Sequence, residues 1–368
     1  MIEAVAAIEP SQLFAGLVGL KVTRLPEVER IRERWQALAA ACGNPFLSWE
    51  WSSIWWEHFG EQREQAILGC EDGEGNLVGI APLYVDSEKP VRIVRPIGHF
   101  PADVLGVICA PEHTSAVEQA LAEHLVNEES WDILLLERNP SPALADSLGG
   151  QRIRAHVEPE LRIEAADWDG FLKSKSKNFR GQVRNYENRL RRDHEFEIRL
   201  CDDPERLEDD FATLVRLHRM TRELRGDDPL GAFPPELAAF HLDFAREALE
   251  RGWLRFWIAT IDGEPAAAWY GFRYGGADWF YQSGRDPRWL RESVGFVLMS
   301  HTVRDAVEHG IHTYKLLLGN EDYKARFATD NPVVESFAVG RGLRGRAALG
   351  AKLASMRLRA RLGRGEDE

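Results

Sequence analysis

Tyr323 stands just past a short apolar segment, Tyr314–Leu318, at the start of a short helical pattern. A phenol titrates in the range of a thiol, so it can protonate a thiolate leaving group. Glu321, two residues earlier, can take a proton from an attacking ammonium, directly or through water. His218 lies in a helical pattern, Pro204–Leu224, with Arg222 one turn on, and an imidazole is a natural base near neutral pH. Ser293-Val294-Gly295-Phe296 opens another helix. Free N–H groups and the helix dipole favour a pyrophosphate there, and Gly295 lets it approach the backbone. Each feature also has an ordinary structural reading. Tyr323 packs, Glu321 caps the short helix, Lys324 is solvated, His218 is structural or exposed, and Ser293 caps its helix.

The elements that must position these groups follow in a clear order. Strand Leu254–Ile261 turns at Asp262-Gly263 into Pro265–Tyr274, which turns at Gly275-Gly276 into Ala277–Ser283, closed by Gly284. A helix over Ser293–His309 leads into the strand Tyr314–Leu318. Upstream come a strand near Leu161–Ile163, a basic helix from about Lys175 to Arg192, a strand Glu195–Leu200 and a helix Pro234–Arg251. The basic helix brings Lys173, Lys175, Lys177, Arg180, Arg184, Arg189, Arg191 and Arg192 together. A solvated face, a bound phosphate, an anionic acceptor or RNA would each offset that charge. Arg180 and Arg184, one turn apart, are the first choice for a phosphate.

The first part of the chain reads as a weaker copy. Helices over Val28–Ala41 and from Pro45 onward precede strands at Gln65–Cys70, Leu77–Val85, Val91–Arg95 and Val104–Cys109, a helix Glu112–Asn127 and a strand Asp132–Leu136. The second helix carries Trp49, Trp51, Trp55 and Trp56. Trp51 and Trp55 share a face, as a core stripe or as the lining of an acceptor groove. The chain divides at Pro159, giving residues 1–158, 159–340 and a basic tail, 341–368.

With 368 residues, 44% hydrophobic and 29% charged, the chain is a packed protein of two ordinary domains. A net charge of −13 argues against nucleic-acid binding by the whole surface. Cys42, Cys70, Cys109 and Cys201 have no metal-ligand or disulfide spacing, so no metal is expected, and reduced thiols fit the cytoplasm. No run is long and apolar enough to span a bilayer.

Asn44-Pro45-Phe46-Leu47-Ser48-Trp49-Glu50-Trp51 with Trp55-Trp56 and Phe59-Gly60 resembles the opening of the bacterial CelD-type, or BioF2-like, acetyltransferases of the GNAT superfamily, relatives of the Fem aminoacyl ligases. Lys173 to Arg180, Phe211 to His218, Gly231-Ala232-Phe233 and Gly319-Asn320-Glu321-Asp322-Tyr323-Lys324 with Phe327 are similar to later motifs of that family. The resemblance spans most of residues 44–340 and implies a mixed-sheet α/β fold of two tandem GNAT-like halves, with one working site in the second. It implies an acyl-CoA donor, acetyl-CoA or longer, and an amine acceptor, a small metabolite or surface-polymer precursor. The donor's pantetheine would lie where two strands splay, beside Gln282, Ser283 and Gly284, with Ser293, Val294, Gly295 and Phe296 at its phosphates. Arg222, Trp51, Trp55 and Lys324 are candidates for the acceptor. The family's acidic residue four positions before Gly319 is Lys315 here, and its Pro-Gly at the helix start is Val294-Gly295. Two other readings keep the fold: a Fem-like ligase using aminoacyl-tRNA, and a degenerate binding or scaffold protein.

Overall fold

The computed structural model describes residues 19–361 except 89, 129, 320 and 321. Glu321 therefore lies outside the described residues. The fold is mixed α/β. It divides into two compact units, Met1–Ala155 with Val334–Glu368 and His156–Val333.

The first unit runs β1 (Lys21–Arg24), α1 (Arg32–Cys42), α2 (Trp49–Phe59), β2 (Glu64–Gln65), β3 (Leu68–Glu71), β4 (Leu77–Ala81), β5 (Leu83–Glu88), β6 (Val91–Pro96), β7 (Ile108–Cys109), α3 (Thr114–Asn127), β8 (Ile133–Asn139), α4 (Ala143–Ser147) and β9 (Gln151–Val157). Asn44 caps a single 3-10 turn at Pro45–Leu47, and Ser48 then starts α2 by accepting from the Trp51 N–H at 3.1 Å. The Leu77–Val85 run expected as one strand is broken at Pro82, which has no N–H to give a ladder. β4 and β5 accordingly enter different sheets.

Trp51 and Trp55 are 0% and 1% exposed. Phe46 meets Trp51 edge-on at 4.9 Å, and the Trp55 indole donates to the His99 carbonyl at 3.1 Å. Both rings are core, which corrects the acceptor-groove expectation: the stripe faces inward, where its apolar area is worth most. Ile97, Ala102 and Leu105 are buried as well, so the loop after β6 fills the ends of the strands. The Arg138 guanidinium holds that loop through the Phe100 carbonyl at 3.2 Å and Asp103 at 3.2 Å. A space of only about 20 Å³ is left between Pro96, Leu105 and Leu136.

The second unit runs β10 (Glu160–Arg162), α5 (Trp168–Ser174), α6 (Lys177–Asp193), β11 (Phe196–Leu200), α7 (Leu207–Arg225), α8 (Pro235–Glu250), β12 (Leu254–Ile261), β13 (Glu264–Tyr274), β14 (Ala277–Arg285), α9 (Val294–Glu308), β15 (Thr313–Lys315) and α10 (Asp322–Phe327). Its six-stranded sheet has the order β10-β15-β14-β13-β12-β11. The two hairpins close where φ is positive, at Asp262-Gly263 and Gly275-Gly276, the geometry that matches the twist of the flanking strands. Only β14 and β15 are parallel, because α9 carries the chain across between them. Val297, Leu298 and Val303 of α9 join Ala267, Trp269 and Phe280 in one core layer. From α7 and α8, Phe211 meets Tyr270 at 5.8 Å and Phe244 meets Phe272 at 5.0 Å.

One strand and a helix complete the picture differently from the sequence reading. β16 (Val333–Gly340) does not end the second unit. It lies between β8 and β9 in the first unit's sheet, of order β2-β5-β6-β8-β16-β9, and α11 (Gly342–Arg361) follows it. Residues 334–340 thus belong with the first unit. The last strand's pattern, Val-Val-Glu-Ser-Phe-Ala-Val-Gly, carries no mark of which sheet it joins.

Two constraints hold the second unit's sheet. Glu160 and Lys315 face each other across β10 and β15, with Nζ and Oε2 at 2.6 Å and Glu160 buried. Arg162 reaches the other carboxylate oxygen at 3.2 Å. Gly284 is the second: a Cβ there would stand 2.2 Å from the His218 nitrogen and 2.4 Å from the Leu217 carbonyl carbon, both α7 backbone. Lys315→Asp leaves two carboxylates across one strand pair and is expected to cost about 3–5 kcal/mol in a denaturant melt. Glu160→Lys added to it recovers much of the loss. Gly284→Ala is expected to cost about 1–3 kcal/mol or more by overpacking, and a wild-type melting temperature would contradict the contact.

Candidate active site

β14 and β15 pair only over Ala277–Trp279 and Thr313–Lys315. Beyond that level the chain after β15 leaves: the Leu316 N–H goes to the Pro159 carbonyl at 2.9 Å, and Leu317 turns with φ 56°. β14 runs on to Arg285 and carries a bulge, since Tyr270 pairs with Gln282 but Gly271 with Phe280. Where the strands part, a cavity of about 210 Å³ opens. Its lining comes from five places: Ala267, Ala268 and Trp269 of β13; Phe280, Ser283, Gly284 and Arg285 of β14; Ser293, Gly295 and Phe296 at the start of α9; Tyr323 and Arg326 of α10; and Thr221 and Arg225 of α7.

The start of α9 is unusual. Ser293 has φ 57° and makes no side-chain capping bond, so the ordinary capping reading does not hold. A non-glycine residue in the left-handed region stores strain, which clusters at ligand sites. A Cβ on Gly295 would make only van der Waals contact, 3.5 Å from Arg285 Cδ. Val294, by contrast, is 1% exposed and packs in the core rather than lining the cavity.

The α7 side is built by its own side chains. His218 Nδ1 donates to the Ser283 carbonyl at 3.0 Å, and its Nε2 lies where a Cβ on Gly231 would stand at 2.5 Å. The imidazole therefore fastens the strand end and faces the Gly231 loop. It is absent from the cavity lining, which departs from its expected role as base. The Thr221 hydroxyl accepts from the Arg285 N–H at 2.8 Å and donates to the Leu217 carbonyl at 2.9 Å. Arg222 turns away to the Asp228 carbonyl at 3.0 Å and Asp227 at 3.4 Å, ordering its own loop instead of an acceptor.

Other expected site residues sort by the same test. Tyr323 lines the cavity, its ring 6.3 Å from Phe280, while Lys324 is 4% exposed, with its ammonium turned back onto the Leu317 carbonyl. Ser283, Gly284, Ser293, Gly295 and Phe296 line it, and Gln282 does not. Arg180 donates to the Lys175 carbonyl at 2.6 Å and the Lys173 carbonyl at 3.4 Å, capping the end of α5 with charge of the favourable sign. Arg184 is exposed, and neither arginine reaches the cavity. Lys315, bound to Glu160, is also absent from the lining. Trp269, Arg225, Arg285 and Arg326 were not singled out in sequence. Arg285 sits in Gly284-Arg285-Asp286-Pro287, whose residues signal only a turn.

The four cysteines are free thiols, and burial pushes Cys70 up to about 12, the wrong direction for a nucleophile. Among the described residues no group of three or more metal-binding side chains comes together, and no helix is long and apolar enough to cross a membrane.

Residues 177–325 match the family model of the acetyltransferase (GNAT) domain. No curated protein matches the chain in sequence. Three solved structures are similar in fold. FemX has a TM-score of 0.59 at 11% identity, over 89% of this chain and 98% of its own. The C-terminal domain of a putative lysylphosphatidylglycerol synthetase from Agrobacterium fabrum has 0.51 at 11%, over 89% and 96%. The L-PGS of Bacillus licheniformis has 0.51 at 12%, over 90% and 98%. The parallel strand pair, crossover helix and splayed strand end of the second unit thus lie within the stretch that matches the acetyltransferase (GNAT) domain model, and the chain is similar in fold to FemX and the two synthetase structures.

Proposed function

We propose that the chain is an acyl-CoA-dependent N-acyltransferase whose donor enters the cavity of the second unit. The observation that carries this reading is the convergence of three features on one space: the strand end of β14 without β15 beside it, the α9 start without a side-chain cap, and the Tyr323 ring. In the first unit, built on a similar strand–helix–strand plan, the space between Pro96, Leu105 and Leu136 is about 20 Å³.

In this reading the N–H groups at the start of α9 face the donor's phosphates, with Gly295 leaving the approach open. The acyl thioester lies along the end of β14. The neutral amine of the acceptor attacks the thioester carbon, the C–N bond forms and the C–S bond breaks. A backbone N–H holds the oxygen as negative charge develops. Tyr323 gives its phenolic proton to the leaving sulfur, and the proton lost by the amine passes to solvent or a base. Positioning supplies much of the rate, so few catalytic side chains are needed. Lys315, at the family's acidic position, is engaged with Glu160 and does not line the cavity, so this reading draws no catalytic step through it.

Gly295→Glu is expected to abolish acetyl-CoA binding by calorimetry while the melting temperature stays near wild type, since the new Cβ meets only Arg285. Wild-type affinity in that variant would rule out this placement of the donor. Tyr323→Phe is expected to lower kcat by about 10²-fold, the lower end of general-acid effects, with donor affinity nearly unchanged. Wild-type turnover would return Tyr323 to a packing role.

A further inference from the structure

We propose that Arg285 is the residue by which this site selects its donor: its guanidinium and the start of α9 together grip a diphosphate. The inference rests on the acyltransferase reading and narrows the donor to thioesters whose pantetheine arm carries that group.

The register of β13 and β14 places the side chain. Paired residues share a face of the sheet, and the face alternates along each strand. Gly284, paired with Ala268, faces α7, so Arg285, paired with Ala267, faces the other way. On that face Ala267 and Trp269 pack with Val297 and Leu298 of α9. The guanidinium accordingly lies against the helix start. A Cβ on Gly295 would stand 3.5 Å from Arg285 Cδ and 3.7 Å from its Nη1. At the same place the Ser293 carbonyl accepts from the N–H groups of Phe296 at 3.0 Å and Val297 at 3.1 Å. Those of Val294 and Gly295 are left without an acceptor among the described residues.

Unsatisfied donors converge there. Arg255 and Arg189 of the same unit also lack a carboxylate partner, but backbone carbonyls satisfy them: Leu254 takes Arg255 at 2.8 Å, and Arg291 takes Arg189. The Arg285 guanidinium makes no hydrogen bond among the described residues, and its Nε is shut off from solvent. Nε1 of Trp269, a residue 2% exposed, is also buried without an acceptor. The far edge of that indole lies over Gly271, where a Cβ would meet Cη2 at 2.7 Å and Cζ3 at 2.9 Å. Its Nε1 edge therefore faces the other way, toward the Ala267–Arg285 pair. Both groups are donors only, so each needs an acceptor brought from outside. No aspartate or glutamate among the described residues lines the cavity, and Arg225 and Arg326 add two more guanidinium groups. The phosphates are the only anionic groups of acetyl-CoA. The diphosphate joins the pantetheine arm directly, whereas the 3′-phosphate hangs beyond it on the ribose. Two free N–H groups, a planar fork and flanking cations match the diphosphate, and the neutral arm offers that charge nothing.

Calorimetry on the full chain with coenzyme A, dephospho-coenzyme A, 4′-phosphopantetheine and pantetheine tests this. The wild-type protein is expected to bind the two diphosphates alike, with phosphopantetheine weaker. Pantetheine should be weaker than the diphosphates by roughly tenfold or more, the scale of one charge-assisted hydrogen bond. Arg285→Gln should erase that advantage, leave pantetheine affinity unchanged and make coenzyme A binding less sensitive to salt. Arg285→Lys, which keeps the charge but not the fork, should fall between. Unchanged coenzyme A affinity in Arg285→Gln overturns the proposal, as does an equal loss for pantetheine, which makes Arg285 structural. A loss for coenzyme A but not for dephospho-coenzyme A overturns it too and gives Arg285 to the 3′-phosphate. Phosphopantetheine bound as tightly as coenzyme A overturns the selection of a diphosphate. Should Arg285→Gln melt well below wild type, Arg285→Lys decides, and unchanged coenzyme A affinity there overturns the grip. If the wild-type protein binds none of these ligands, the acyltransferase reading falls instead. Inorganic pyrophosphate, whose affinity Arg285→Gln must lower, then judges the grip alone.

Discussion

Helix α7 can lie against strand β14 only because residue 284 has no side chain. A single Cβ there would enter the helix backbone at 2.2 Å. That close approach lets His218 and Thr221 reach the backbone of residues 283 and 285. The end of β14 is thereby fixed without a neighbouring strand, although β15 has already turned away at Leu317. A strand end held by a helix on one side and open on another is what leaves room for a ligand. Remove the contact and the strand end would need some other partner for its backbone groups.

The two units solve the same geometric problem in opposite ways. Each has a parallel strand pair bridged by a helix, β6 with β8 across α3 and β14 with β15 across α9. Parallel pairs so joined leave a crevice at the strand ends. In the first unit the chain itself fills it, with buried Ile97, Ala102 and Leu105 fastened by Arg138. In the second the crevice stays open and is edged with guanidinium groups. Apolar side chains that close a crevice stabilise the fold, whereas donors left without acceptors weaken it. Such a cost is tolerated where binding needs it.

The second unit was largely legible in sequence because its signals are local. Asp262-Gly263 and Gly275-Gly276 dictate two hairpins, and the apolar period of Val294–Glu308 dictates the crossover helix. Tyr323, Ser283, Gly284, Ser293, Gly295 and Phe296 came together at the cavity because they flank those elements. What failed to read was long-range. His218, Arg222 and Lys324 have the chemistry of site residues, but their partners at Ser283, Asp228 and Leu317 are set by tertiary packing. Arg285 went unnoticed for the converse reason: what distinguishes it is the lack of a partner, which no sequence displays. Pro82 alone could have announced that the Leu77–Val85 run splits between two sheets.

The position of β16 bears on how the chain must be made. Its partners in β8 lie some two hundred residues earlier, as in the pairing of Leu134 with Val339. During synthesis the first unit's sheet therefore stops at β8, an edge of sequence Ile-Leu-Leu-Leu-Glu-Arg-Asn, until the whole second unit has emerged. An apolar strand edge waiting that long is a site for wrong pairing with another nascent chain. The second unit, contiguous from His156 to Val333, needs nothing from the residues after it to complete its own sheet. Maturation thus runs from the inserted unit outward, and the first unit to leave the ribosome is the last to be finished.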